Sequence, residues 1–169
     1  HTPTPSSTPT LSPTLPPSPT HILIPSIHVD APILPVSWNP VTVDGQSQAI
    51  WEVPDTYAAG WHETSAPPGA GSNVVLNGHN TAHGEVFRDL YQLKAGTVIT
   101  IYADEISYTY TVSDILILPE AGQPLEVRQK NAQYILPTED ERLTLVTCHP
   151  YGSLRYRLIV IAHPNGFEE

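Results

Sequence analysis

A single cysteine, only seven basic residues and no long apolar run are the shortages of this 169-residue chain, and each excludes something. One thiol, Cys148, cannot form an internal disulfide. Acids outnumber bases seventeen to seven, so the clustered Lys and Arg that nucleic acid or an anionic membrane surface requires are missing. No apolar run approaches the roughly 20 residues of a membrane span, and no signal peptide is present. Membrane attachment, where it exists, is therefore expected through an N-terminal anchor outside this chain.

The length allows one domain of ordinary size with a real core. From His1 to Thr20, seventeen of twenty residues are Pro, Thr or Ser. Such a segment buries too little apolar surface to offset its ordering entropy, and an extended, disordered linker or stalk is expected there. The folded domain is expected over residues 21–169.

Within that domain, Ile22–Leu34 reads as two short strands broken by Pro25 and Pro32, and Ala49–Val53 as another. Asp55 is placed to cap one helical turn through Ala58 and Ala59, ended by Gly60. Asn73–Leu76 is β-branched and strand-like, with Gly78-His79 at its end. Val86, Phe87, Leu90 and Leu93 carry the spacing of a short amphipathic helix. Val98–Tyr102 and the alternating Ile106–Val112 read as a hairpin around Asp104-Glu105, and Ile115–Leu118 extends the sheet. Helical turns are expected between Glu126 and Gln133, then strands at Arg142–Cys148 and Tyr156–Ala162. Seven to nine short strands with little helix point to an all-β sandwich or barrel.

The chemistry concentrates in Thr144–Val160. A β-branched run ends in Cys148, turns at Pro150-Tyr151-Gly152, and returns through a strand carrying Arg155 and Arg157. A thiol where strand gives way to turn, facing a guanidinium on the next strand, is a layout for a nucleophile with an anion stabiliser. The bland alternative is an inert buried thiol beside solvated charges. On a regular strand, Arg155 and Arg157 project from the same face, about 6 to 7 Å apart, so parity does not separate them.

Thr144-Leu-Val-Thr-Cys148, followed by an arginine leading into an aliphatic strand, resembles the signature of the sortases, the cysteine transpeptidases of Gram-positive-type cell surfaces. Asn73-Val-Val-Leu-Asn-Gly-His79, with Val86-Phe-Arg-Asp-Leu90 after it, is similar to that family's upstream histidine motif. The likeness runs from Ile22 to Ala162. It implies a closed eight-stranded sortase-type β-barrel with short helices, whose long connections wall a substrate groove. It also implies Cys148 as nucleophile, His79 as acid and base, and Arg157 as oxyanion donor. Thr147 and, more weakly, Asn80 are the implied substrate-binding residues.

The reaction that follows is cleavage of a Leu-Pro-x-Thr-like sorting signal through a thioester, with transfer of the acyl group to an amine. The implied partners are surface proteins bearing a C-terminal sorting signal and an amine from a peptidoglycan precursor or a pilin-like surface protein. The implied location is the extracellular face of the cell membrane. No cofactor or metal is required. Calcium modulates some sortases, but Glu139-Asp140-Glu141 is read as a solvated loop. A zinc site of His79, His83, Cys148 and His149 lacks a supporting pattern. His1, His21, His28, His62 and His163 are read as surface or linker residues. Leu118-Pro-Glu-Ala-Gly122 echoes a sorting motif but reads as a strand-ending turn. A hydrolytic cysteine protease and a non-catalytic wall-binding β-domain are the competing classes.

Overall fold

The computed structural model describes residues 3, 9 and 14–165. The first strands are β1 (His21–Ile24), β2 (Val29–Val36), β3 (Trp38–Val43), β4 (Gln46–Trp51) and β5 (Ala59–His62). They are followed by β6 (Asn73–Asn77), β7 (Val98–Ala103), β8 (Ile106–Pro119), β9 (Arg142–His149) and β10 (Tyr156–Pro164). One α-helix, α1 (Leu125–Ala132), lies in the connection between β8 and β9. Eight strands close into a barrel in the order β1-β2-β5-β6-β9-β10-β8-β7, with β7 returning to pair with β1. This is the closed eight-stranded all-β barrel that the sequence led us to expect. The hairpin of β3 and β4 stands outside it.

Period two assigns the faces. Val74 and Leu76 of β6, Leu143 and Leu145 of β9, and Leu158 and Val160 of β10 all join the central apolar cluster with Ile22, Ile101 and Phe87. Their alternates, including Val146 and Cys148 on β9 and Arg157 and Ile159 on β10, therefore fall on the outer face. Across that face lies the connection from β8 to β9. Asn73 at the start of β6 pins it there, its side-chain amide donating to the carbonyls of Tyr134 and Leu136, each at 2.9 Å. Thr144 completes the buried anchor, its hydroxyl donating to the side-chain Oδ1 of Asn73 at 2.7 Å.

Several local expectations are corrected by tertiary context. Ala58 and Ala59 form no helical turn capped by Asp55, because Ala59–His62 is a fully buried strand, parallel to β2 and antiparallel to β6. A Cβ on Gly60 would sit 2.3 Å from Oδ1 of Asn77, so glycine is what lets this strand enter. Val86, Phe87, Leu90 and Leu93 are buried as their pattern requires. Yet they sit on successive tight turns ending in a single 3-10 turn at Leu90–Gln92, not on an α-helix. So short a segment nucleates an α-helix poorly, and the backbone bond from Phe87 N–H to the His79 carbonyl fixes its entry instead.

The expected strands at 106–112 and 115–118 are one continuous β8, which absorbs Ser113 as an irregularity in its pairing with β10. Pro32 does not interrupt β2 either; the break falls at the 3-10 turn Pro25–Ile27. The hairpin of β3 and β4 turns on Asp44 and Gly45, both with left-handed φ (51° and 78°). An Asp-Gly pair between β-rich runs is a hairpin signal that the sequence reading left unused.

The linker expected over residues 1–20 falls largely outside the described residues. Of its described part, Pro19 is buried, while Thr20 donates to the Tyr102 carbonyl (2.7 Å) and accepts from Ile33 N–H (2.9 Å).

Candidate active site

Cys148 is the seventh residue of β9, on the outer face, and its register partner on β10 is Arg157. Facing partners in an antiparallel pair point the same way. Accordingly Nη1 of Arg157 donates to Sγ of Cys148 at 2.8 Å. Both side chains are half-buried. The other arginine is not part of this arrangement. Arg155 precedes β10, so strand parity does not apply to it, and its exposed guanidinium lies 5.2 Å from the Tyr156 ring centroid.

His79 reaches the same end of the barrel by a different route. β6 runs parallel to β9, with Asn77 opposite Val146. Beyond the strand, Gly78 N–H donates to the Val146 carbonyl at 3.2 Å. The Thr147 hydroxyl donates to the Gly78 carbonyl at 2.7 Å. The Asn80 amide donates to the Cys148 carbonyl at 2.8 Å. The residues on either side of His79 are thus tied to Thr147 and to Cys148, which brings the His79 backbone to the barrel end that carries the thiol. Thr147 and Asn80 are both buried, and each of these bonds ends on site backbone. Gly78 does not leave room for a substrate: a Cβ there would meet the side chains of Phe87 and Val86 at 2.6 Å.

Burial is the largest influence on His79 and lowers its pKa; His83 lowers it further, and Asp55 opposes both. The His79 and His83 ring centroids are 4.9 Å apart. Among the described residues, no group of three or more His, Cys, Asp or Glu side chains is arranged to hold a metal ion. In the acidic run, Glu141 accepts hydrogen bonds from Gly71 N–H and the Tyr110 hydroxyl, both at 3.1 Å. Asp140 pairs with Arg142 at 2.8 Å, which holds its carboxyl below the ordinary range.

After Thr81 the backbone is strained. Ala82, His83, Gly84 and Glu85 have φ of 63°, 50°, 85° and 56°. Left-handed backbone costs a non-glycine residue roughly 1 to 2 kcal/mol. Gly84 itself admits no side chain, since a Cβ would lie 2.6 Å from the backbone nitrogen of Tyr57. This loop is cross-linked to the turn after Cys148. Gly152 N–H donates to the Thr81 hydroxyl at 2.6 Å, and the Tyr151 hydroxyl donates to the Glu85 carboxylate. Arg88 pairs with Glu85 at 3.1 Å and covers the Tyr151 ring, 4.7 Å from its centroid.

Two histidines differ from their surface reading. His163 is half-buried and faces Asp140 at 3.8 Å. His62 is buried, stacked on Trp51 at 3.9 Å, and accepts a hydrogen bond at Nε2 from Asn77 at 3.0 Å. Burial depresses its pKa to about 4. Sequence reasoning could not find this pocket, because its parts come from β4, β5 and β6. Leu118-Pro119 closes β8, and Glu120 is held by Arg128, Asn131 and the Arg155 carbonyl; the motif-like segment is a turn, as expected.

A thiol, a guanidinium and an imidazole gathered at one barrel end can form an acyl-enzyme and resolve it. Comparison with known proteins bears on the family and the fold. The family model described as Sortase domain matches residues 22–165. Sortase A of Corynebacterium diphtheriae, in a lid mutant, is similar in structure with a TM-score of 0.65 at 24% identity, over 90% of this chain and 72% of that one. Sortase C-1 of Actinomyces oris gives 0.62 at 25% identity, over 88% and 73% of the two chains. Sortase C1 of Streptococcus agalactiae gives 0.65 at 26%, over 88% and 68%. No match was found among curated proteins.

Proposed function

The chain belongs to the sortase family of cysteine transpeptidases, and from that premise we propose that it cleaves a Leu-Pro-x-Thr-like sorting signal through a thioester on Cys148 and passes the acyl group to an amine. The observation that carries the assignment of roles is the guanidinium of Arg157 aimed at the Cys148 sulfur from the facing strand.

With its pKa lowered, His79 rests as the neutral imidazole at neutral pH. It takes the thiol proton as Sγ attacks the carbonyl carbon of the threonine, in its bond to the next residue. Negative charge then gathers on the carbonyl oxygen, where the remaining N–H groups of Arg157 donate to it. Collapse breaks the C–N bond, and the His79 imidazolium returns the proton to the leaving amine. An incoming amine loses its proton to His79 in turn, attacks the thioester and releases the thiol. Thr147 and Asn80 hold the ends of β9 and β6 together and so shape the binding wall beside the sulfur.

The chemistry of the acceptor is that of a peptidoglycan precursor or a surface-protein lysine. An N-terminal anchor, with the segment before Pro19 as its stalk, would hold the domain on the outer side of the membrane. The test is a panel of sorting-signal peptides, with and without an amine acceptor, read by mass spectrometry. An acyl-enzyme on Cys148 and an amine-dependent ligated product are expected. Hydrolysis that ignores the amine would assign a protease instead, and the absence of any acyl-enzyme would leave only a binding domain.

A further inference from the structure

We propose that Glu85, Tyr151 and Arg88 form a clasp of positioning residues that fixes His79 against Cys148 during acyl transfer. This inference deepens the reading above and rests on it, taking those two side chains as the reacting pair. The two loops concerned carry the chemistry. One follows β6 and holds His79; the other follows β9 and begins two residues after Cys148.

The first loop does not hold its own shape. Three non-glycine residues, Ala82, His83 and Glu85, sit at left-handed φ around Gly84, a conformation that persists only when surrounding contacts over-determine it. On one side Gly84 is packed against the backbone of Tyr57. Towards Cys148, the ties beyond Asn80 are the bond from Gly152 N–H to Thr81 and the clasp itself.

Glu85 is the hub of that clasp. Its carboxylate accepts from the Tyr151 hydroxyl with one oxygen and from Arg88 with the other, while the Arg88 guanidinium lies over the Tyr151 ring. Each member therefore orients the other two. Glu85 is also the last left-handed residue, so tension released there runs back through the loop towards His79. A shift of the imidazole relative to Sγ acts on the chemical step, where alignment governs the rate. It leaves the walls that bind the peptide in place. Tyr151 is exposed, Glu85 is half-buried, and neither belongs to the apolar cluster, so their loss should not unfold the barrel.

The experiment measures kcat and KM on one sorting-signal peptide with an amine acceptor. It compares the wild type with Tyr151→Phe, Glu85→Ala, Glu85→Gln and the double variant Tyr151→Phe/Glu85→Ala. A fall in kcat of about tenfold is expected for Tyr151→Phe and for Glu85→Ala, with KM within about twofold of wild type. Glu85→Gln keeps an acceptor oxygen for Tyr151 and should recover most of the rate. The double variant should be no slower than the slower single one, because both break the same unit. The clasp is refuted by a Tyr151→Phe enzyme within about twofold of wild-type kcat, by a loss carried in KM alone, or by additive losses in the double variant. A collapsed melting temperature in either single variant would make it a structural brace. Wild-type protein that forms no acyl-enzyme would remove the sortase reading, and the clasp with it; an active wild type with indifferent variants removes the clasp only.

Discussion

Arg157→Lys is the substitution most informative about the chemistry, since it keeps the charge and removes the shape. Arg157 faces Cys148 across the antiparallel pair and already gives one N–H, on Nη1, to the sulfur at 2.8 Å. A guanidinium has further N–H groups in the same plane, so it can serve the sulfur and a carbonyl oxygen bonded next to it together. An ammonium presents its donors from a single point on a flexible stem and does not reproduce that fork. The expected loss is that of one oxyanion donor, roughly 3 to 4 kcal/mol, or a factor of about 10² to 10³ in rate. Arg155 supplies the contrast. Its exposed guanidinium stacks on Tyr156, a contact worth about 0.5 to 1 kcal/mol, and its carbonyl bond from Glu120 N–H survives substitution. Arg155→Ala should therefore remain within about tenfold of wild type, a loss below about 1.4 kcal/mol. The assay is kcat/KM for Arg157→Lys, Arg157→Ala and Arg155→Ala on one sorting peptide with an amine acceptor. Were Arg157→Lys to keep nearly full activity, or Arg155→Ala to be the dead enzyme, the oxyanion assignment would be wrong.

Cys148→Ala should keep the melting temperature and form no acyl-enzyme by mass spectrometry, while His79→Ala should lose about 10² to 10⁴ in turnover. His62 is predicted to make stability fall with acidification. Its pKa drops from 6.5 to about 4 on folding, so between those values the unfolded chain binds the extra proton, and stability present above pH 6.5 is lost down to about pH 4. The full loss is about 3 kcal/mol; urea unfolding at both pH values should show it in wild type and show much less in His62→Gln. Deleting residues 1–13 should move the melting temperature by no more than about 2 °C, given their composition. Deletion through Thr20 should cost several degrees more, because Pro19 is buried and Thr20 makes two backbone bonds; equal melting temperatures for the two truncations would contradict this.

Cys148 at a strand end, Arg157 at the head of an aliphatic strand and His79 after a β-branched run were all readable as residue types in local patterns. So were most barrel strands, because a two-residue period needs only neighbours along the chain. The buried set Val86, Phe87, Leu90 and Leu93 was readable too, but its conformation was not. Burial pattern and backbone shape separate wherever a segment's entry is fixed from elsewhere, here by the His79 carbonyl. β5 was invisible because Gly60 weakens any strand pattern, and its place depends on parallel pairing with β2.

What the sequence determined by itself, then, is the all-β class and the three chemical groups. Strand parity could not separate Arg157 from Arg155, and the family resemblance favoured Arg157; tertiary structure supplies the physical ground, since register with β9 puts Arg157 opposite the thiol. It alone tied Asn80 to Cys148 and Thr147 to Gly78, across 68 and 69 residues of chain. It also buried His62 beneath Trp51 and bent residues 82–85 into left-handed backbone. The physical reason is common to all of these. Residue type and periodicity are local properties, whereas the distance between two reactive groups is set by barrel closure and strand register, which join parts of the chain that no short window contains.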